Sequence, residues 1–364
     1  MVQGKNLHYW QVMSIEPIFS PQQLELIENA PLYAGDRHPA WSVLFGATSA
    51  VDFLTRSSLD VVCRSPDLRR DMRNTLDRAV NLTNISDAAA ALAEIRALGG
   101  MMEAGLLVRP LAPNSKRGTT PDFEVDADDG SVTVEVHAKH EDGAQTQLRQ
   151  LVADGKDAPG IERRTEDYGN GSIAFATVEL HPGGVPRPGH KFDSVQANVI
   201  SKLCAVKQGE TQRRHDVPSV LWLDLSYFGP MTHTLLEQTR PIVSGNIGLN
   251  SGAIWNAFYG WKGAPILEEG NPKTVEMGHD GRFRLTGNAK CYYAAVIVCF
   301  EKGLVLFENP WADIGLPPKF RWRCERLPWF RIGHSVADWT PSEALTSVNL
   351  SERRIKALSE DRYL

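Results

Sequence analysis

Residues 120–140 read TPDFEVDADDGSVTVEVHAKH, and this stretch decides the fold that we expect. Asp-Asp-Gly at 128–130 is a turn signal between two short segments in which apolar and polar residues alternate. A β-strand places successive side chains on opposite faces. In the second segment the valines therefore share one face, while Glu135, His137 and Lys139 share the other. The sequence predicts a β-hairpin that holds a carboxylate, an imidazole and an ammonium group on one face.

The first segment of this hairpin adds a second carboxylate. Phe123 and Val125 alternate with Asp122 and Glu124, so the acidic side chains lie opposite the apolar ones. A hairpin through the Asp-Asp-Gly turn places Asp122 and Glu135 on the same face. Like charges side by side on a sheet repel one another unless a cation lies between them. Because oxygen ligands suit hard cations, the pair predicts a Mg²⁺ or Mn²⁺ site.

A third carboxylate lies upstream, in a segment with the composition of a helix. The alanine-rich run that begins at Ser86 favours a helix, and Gly105 is a plausible stop. Residues three and four positions from Glu94 are alanine and leucine. A buried carboxylate needs a partner. We therefore expect Glu94 to be a third ligand of the metal.

The order of these residues resembles the PD-(D/E)XK, or restriction-endonuclease-like, superfamily of nucleases. A helical glutamate, a Pro-Asp pair on one strand and a glutamate on the next follow one another within residues 86–226. By position, Glu94 matches the helical glutamate of the family, Asp122 its motif aspartate and Glu135 its last motif glutamate. The resemblance implies that these three residues are catalytic and bind Mg²⁺, which activates water to cleave a phosphodiester bond.

The resemblance also implies a fold. The family core consists of a helix, a three-stranded sheet, a second helix and a further strand. The segments that match the second helix and the last strand are Phe192–Gln208 and Pro218–Ser226. We therefore expect an α/β protein with a central mixed β-sheet flanked by helices.

One position departs from the family pattern. The family's lysine stands two residues after the glutamate, and that position is His137 here. His137 can replace the lysine as a base or an orienting group, because a neutral imidazole accepts a proton near pH 7. Lys139 can instead reach back, because its side chain is long. A third interpretation is a degenerate, inactive site. The sequence leaves the three open.

Basic residues around this segment are candidates for contacts with phosphate. Lys116 and Arg117 lie in the loop before Pro-Asp. Four more lie in or just after the helix predicted over Phe192–Gln208, namely Lys202, Lys207, Arg213 and Arg214. The alternative to a nucleic-acid-binding patch is an ordinary solvated helix face.

Three regions are expected along the chain. Residues 1–85 read as a helical accessory region, and residues 86–230 as the nuclease-like core. Residues 231–364 read as a β-rich region that continues the core sheet and ends in a helix at Pro341–Arg362. In this last region we expect a strand at Ala253–Tyr259.

The composition sets limits on the class of protein. The 364 residues carry a formal net charge of -5, which excludes a strongly basic protein that coats nucleic acid. Five scattered cysteines without a CxxC pair argue against a disulfide framework and a structural zinc site. With no signal-peptide pattern and no long apolar run, we expect a cytoplasmic protein without a membrane span.

The function that we expect is a Mg²⁺- or Mn²⁺-dependent endonuclease acting on DNA, of a restriction or antiphage-defence type. The alternatives are a ribonuclease and a degenerate nuclease-like scaffold that binds nucleic acid or a protein. Two copies of the chain are expected to pair, because two strands of a duplex need two sites. A product of a neighbouring gene is a further expected partner.

Overall fold

The computed structural model describes most of the chain. The described residues are 18–34, 36–46, 49–112, 120–141, 143–159, 161–178, 180–181, 183–187, 190, 192–206, 209, 216–228, 242–244, 248–250, 252–266, 275–300, 303–327, 349, 352–353 and 356. The terminal helix expected at Pro341–Arg362 lies almost entirely outside them.

Helices come first along the chain and then alternate with strands. The helices are α1 (Pro21–Glu28), α2 (Pro39–Trp41), α3 (Ala50–Arg64), α4 (Pro66–Asp71), α5 (Arg73–Ala79), α6 (Ile85–Glu103), α7 (Gly143–Ala153), α8 (Val195–Cys204), α9 (Ala253–Tyr259) and α10 (Pro318–Cys324). The strands are β1 (Leu107–Pro110), β2 (Phe123–Asp126), β3 (Ser131–Ala138), β4 (Ile161–Asp167), β5 (Ser172–Val178), β6 (Ser219–Asp224), β7 (Ile242–Ser244), β8 (Gly248–Asn250), β9 (Pro265–Ile266), β10 (Val275–Glu276), β11 (Tyr293–Phe300) and β12 (Gly303–Glu308).

A mixed sheet of six strands forms the centre, in the order β1-β2-β3-β6-β11-β12. Strands β1, β2 and β3 form an antiparallel meander. Strands β3, β6 and β11 run parallel, and β12 returns antiparallel to β11. The expected mixed α/β architecture is confirmed, and the region after residue 230 contributes two strands to the central sheet.

Both faces of the sheet are buried, which explains why its central strands are apolar. Val134 and Trp222 face one side and belong to the apolar core that includes α6. Leu221 and Val298 face the other side and pack in a second core with α8 and α9. Since alternate residues of β3 point to opposite faces, Glu135 lies on the α8 side of the sheet, away from α6.

Helix α6 is the longest in the part of the chain that the structure describes, and most of its residues are buried. Asn84 caps its start, accepting a hydrogen bond from the Asp87 N–H, so the helix begins before the expected Ser86. Gly105 follows its end with a φ of +84°, the left-handed conformation that glycine adopts readily at this position. At Gly99 an added Cβ would lie 2.2 Å from the Cβ of Ser58, so glycine there permits close packing of α3 against α6.

The helices before residue 85 pack directly on this core. Ile27, Leu54 and Leu76 are buried in the same apolar cluster as Leu98 of α6 and Val134 of β3. The described helices before residue 85 therefore cover part of the sheet and share its apolar interior.

One expected element has a different structure. The segment AIWNAFY at Ala253–Tyr259 forms helix α9, and the strand expected there is wrong. Its seven residues are all buried. A short run that is apolar on every side does not distinguish a buried helix from a strand by its periodicity.

A buried ion pair joins helix α6 to the end of strand β6. Arg96 is fully buried and pairs with Asp224, which is 1% exposed. Arg96 Nε also donates to Thr55 Oγ1 at 2.8 Å, and its Nη1 donates to Ser226 Oγ at 3.2 Å. The Ser226 N–H donates to Asp224 at 3.0 Å. The apolar strand tolerates Asp224 because its charge is paired and hydrogen-bonded.

Among the described helices, none combines the length and apolar character needed to cross a bilayer.

Substitution of Asp224 with alanine should destabilise the fold strongly, because it leaves the Arg96 charge buried without its partner. We expect the free energy of unfolding, measured in urea, to fall by about 3–5 kcal/mol. The control is Asp313→Ala, which breaks a partly exposed ion pair with Lys290 and should cost less than about 1 kcal/mol. Equal losses in the two variants would contradict a central role for the buried pair.

Candidate active site

Asp122, the residue just before strand β2, lies beside Glu135 of strand β3. In the β2–β3 ladder Phe123 pairs with Val134 and Glu124 with Thr133. Extended by one position, this register sets Asp122 directly opposite Glu135. Glu135 is on the α8 side of the sheet, where its partner Tyr293 belongs to the second core.

The Asp122 side chain forms a hydrogen bond to the backbone of β3, just before the backbone pairing of β2 with β3 begins. Asp122 Oδ2 accepts a hydrogen bond of 2.7 Å from the Val136 N–H. The residue before it, Pro121, has no N–H to contribute. The backbone N–H and C=O groups of one strand residue point to the same edge, so the Val136 carbonyl also points toward the Asp122 side of β3.

Glu135 is buried and accepts a hydrogen bond from a tyrosine in a distant part of the sequence. Its side chain is 4% exposed, and its Oε2 lies 2.5 Å from the hydroxyl of Tyr293, the first residue of β11. Burial, reinforced by the Glu135 charge, raises the pKa of Tyr293 far above its usual value. The phenol therefore remains a donor to Glu135 throughout the physiological pH range.

His137 and Lys139 continue along β3 from Glu135. His137 is half-buried. Lys139 Nζ donates to the carbonyl of Ala205 at 3.2 Å, and Ala205 is the residue that ends helix α8. A cation at a helix C-terminus is stabilised by the helix dipole. Burial, and next Lys202, lowers the pKa of Lys139 below its usual value. The ammonium group of Lys139 therefore interacts with the helix end.

Glu94 lies apart from this cluster and is paired by an arginine. Its Oε1 lies 3.1 Å from Arg78 Nη1, and its Oε2 accepts from Thr75 Oγ1 at 3.0 Å. Arg78 also bridges to Asp87 at 2.8 Å. The expectation that Glu94 lies in an apolar environment and needs a metal ion as its partner is wrong. Helix α5 supplies Arg78 and Thr75 as partners of its carboxylate.

The grouping of three carboxylates is not found. Glu94 is on α6, which packs on the face of the sheet opposite to Glu135. Among the described residues, no set of three His, Cys, Asp or Glu side chains is arranged to hold a metal ion. The carboxylates that the structure brings together are Asp122 and Glu135.

A smaller set of ligands nevertheless suits Mg²⁺. The carboxylates of Asp122 and Glu135 and the carbonyl of Val136 are all oxygen donors. Mg²⁺ is commonly held by one or two carboxylates, with water and substrate phosphate completing its shell. Each carboxylate offers two oxygens, and the hydrogen bonds from Val136 and Tyr293 engage Oδ2 and Oε2 respectively.

Of the basic residues proposed to contact nucleic acid, the structure describes one. Lys202 lies in the last turn of α8, with Nζ 5.1 Å from the ring centroid of Phe228. It lies near Lys139, since its charge lowers the pKa of that residue. The other five lie outside the described residues, namely Lys116, Arg117, Lys207, Arg213 and Arg214.

Comparison of the chain with protein-family models, curated proteins and solved structures gave no match.

Alkaline pH should reveal the environment of Tyr293. Below about pH 10 the phenol is protonated in the folded and unfolded chains. Above it the unfolded chain loses the proton first, because burial raises the folded-state pKa, and stability falls as pH rises. In Tyr293→Phe, the loss of unfolding free energy between about pH 9 and 11 should be smaller than in wild type.

The control is the neighbouring Tyr292→Phe, which should retain the wild-type slope in urea titrations, since Tyr292 is only partly buried. At neutral pH, Tyr293→Phe should itself cost about 1–3 kcal/mol, because it removes a donor from a buried carboxylate. Identical slopes for wild type and Tyr293→Phe would contradict the assignment.

Proposed function

We propose that the protein is a metal-dependent phosphodiesterase that cleaves nucleic acid, with DNA as its first candidate substrate. The observation that carries the proposal is the position of Asp122 beside Glu135, where the Asp122 carboxylate accepts a hydrogen bond from the Val136 N–H. Natural sheets avoid two adjacent carboxylates unless a compensating charge is available. A Mg²⁺ ion bound with a substrate phosphate is the compensation that this set of oxygens suits.

The order of elements supports the same proposal. Helix α6, the meander β1–β3, helix α8 and the parallel strand β6 occur in the order expected of a PD-(D/E)XK core, with α7, β4 and β5 between β3 and α8. A shared fold alone does not carry an activity. The proposal therefore depends on the residues of the site.

Each residue of the site has a distinct role in the proposed reaction. Asp122, Glu135 and the Val136 carbonyl would hold the metal, which lowers the pKa of water and polarises a phosphate oxygen. Tyr293 holds the Glu135 carboxylate in place through its hydroxyl. His137, two residues after Glu135 on the same face, orients the attacking water and accepts its proton.

His137, rather than Lys139, is the residue that we assign to the family's lysine position. Lys139 Nζ is hydrogen-bonded to the end of α8, so reaching back toward Glu135 would break that contact. His137 is two residues closer to Glu135 on the same face, and a neutral imidazole accepts a proton near pH 7.

The burial of Glu135 favours a second candidate, a noncatalytic scaffold that binds nucleic acid or a protein. With 4% exposure and a hydroxyl donor already in place, Glu135 is satisfied without a cation. In this alternative the Asp122–Val136 and Glu135–Tyr293 contacts serve only to stabilise the sheet.

Metal binding separates the two candidates. We expect wild type to bind Mn²⁺ or Mg²⁺ in calorimetry and to cleave plasmid DNA, single-stranded DNA or RNA, each supplied separately. The variants Asp122→Asn and Glu135→Gln should lose both metal binding and cleavage. Glu94→Gln should bind the metal as wild type does, because Glu94 is paired with Arg78 on the other side of the sheet.

Circular dichroism and urea titration of each variant provide the folding control. Wild type that binds no metal would refute the phosphodiesterase and favour the scaffold. Loss of metal binding in Glu94→Gln would refute the two-carboxylate site and restore the three-carboxylate set.

The two candidate bases are distinguished by a pair of substitutions. His137→Gln should reduce the cleavage rate about 10²-fold or more, the size of effect that general base catalysis supplies. Lys139→Met should reduce it less than about tenfold, since it removes a helix-end contact. Rates measured at saturating metal, with metal affinity recorded for each variant, test this. The reverse order of effects would assign the role to Lys139.

A further inference from the structure

A cavity of about 650 Å³ opens at the edge of the sheet where strand β3 ends. His140 and Glu141, which follow β3, form part of its wall, as do Ser226 and Tyr227, which follow β6. Ligands of α/β proteins commonly bind outside the carboxyl ends of parallel strands. Its volume lies within the range of small-molecule pockets.

The opposite wall comes from the segment before α3, and it is held in place by several contacts. Asp36 forms an ion pair with Arg149 of α7. The Ala34 N–H donates to the Gln150 side chain at 2.7 Å. The Tyr227 hydroxyl donates to the Pro39 carbonyl at 3.2 Å. These contacts tie the wall to α7 and to the end of β6, so the cavity is formed before a ligand binds.

Arg37 brings a guanidinium group to the wall of the cavity. Its guanidinium lies 4.1 Å from the ring centroid of Trp41, a contact that orients the group. Within the described part of the chain, Arg37 forms no ion pair, whereas Arg149 is paired with Asp36 and Glu141. Arginine presents a planar fork of donors that matches phosphate.

Tyr33 gives the cavity an aromatic surface. It lines the cavity, and 49% of its surface is exposed. Tyrosine rings that are exposed beside a cationic group are the platforms on which unpaired bases stack.

Glu141 adds an unsatisfied acceptor to the wall. Its side chain is 7% exposed, and its Oε1 accepts from Arg149 and Thr146. Its Oε2 is buried and meets no hydrogen-bond donor among the described residues. Buried polar atoms are normally paired, and an N–H or O–H group of a bound molecule would supply the donor.

We propose that this cavity binds one unstacked nucleotide of the nucleic acid, with its base on Tyr33 and its phosphate at Arg37. The inference rests on the proposed action on nucleic acid and names the part of the substrate that the cavity takes. The cavity adjoins the carboxyl end of β3, the strand that carries Glu135 and His137, and is also lined by Ile85, Ser86 and Ala89 of α6.

The test is a calorimetric titration with deoxyadenosine 5′-monophosphate in EDTA, so that binding is measured without metal or cleavage. We expect wild type to bind with a Kd below about 1 mM. Tyr33→Leu should weaken binding of the nucleotide about 5- to 150-fold, the size of a stacking contribution, and leave binding of deoxyribose 5-phosphate unchanged. Arg37→Gln should weaken binding of both phosphates and leave binding of deoxyadenosine unchanged.

Matched controls are Tyr168→Leu and Arg70→Gln, which alter an exposed tyrosine and an exposed arginine outside the cavity. Both should bind like wild type. Absence of nucleotide binding in wild type, or equal affinity in all variants, would overturn the proposal. A chain that cleaves nucleic acid but does not bind the nucleotide refutes this site alone. A chain that binds the nucleotide but binds no metal refutes the phosphodiesterase alone.

Discussion

The buried pair of Arg96 and Asp224 is the interaction on which the arrangement of the layers depends. A fully buried guanidinium fixes helix α6 against the end of β6, and through Thr55 it also reaches α3. Its hydrogen bond to Ser226 orients the segment that follows β6 and forms one wall of the cavity. Charged groups without water tolerate little displacement, so helix, sheet and cavity wall are held in one geometry.

Local pattern was sufficient to predict the parts of the fold that depend on neighbouring residues. The alternation in residues 120–140 predicts the β2–β3 hairpin, and the register confirms that hairpin. Alanine content and Gly105 predict α6 and its end.

What the sequence could not predict depends on contacts between distant residues. Arg78 neutralises Glu94, and Thr75 donates a hydrogen bond to it. The sequence does not show which carboxylate a basic residue of the preceding helix will contact. Tyr293 reaches Glu135 across 158 positions. Its only local signal is a tyrosine at the start of an apolar strand, which is ordinary packing in most sheets. Helix α9 was misjudged because uniform burial removes periodicity.

The position of β6 in the middle of the sheet has a consequence for any attempt to express residues 86–230 alone. A fragment that ends near residue 230 would lack β11, which pairs with β6 along its length. SVLWLD, buried at every position, would then become an unprotected edge with a row of open backbone groups, the usual template for aggregation. Residues 86–230 therefore do not contain the whole sheet, since strands β11 and β12 from the last third of the chain complete it.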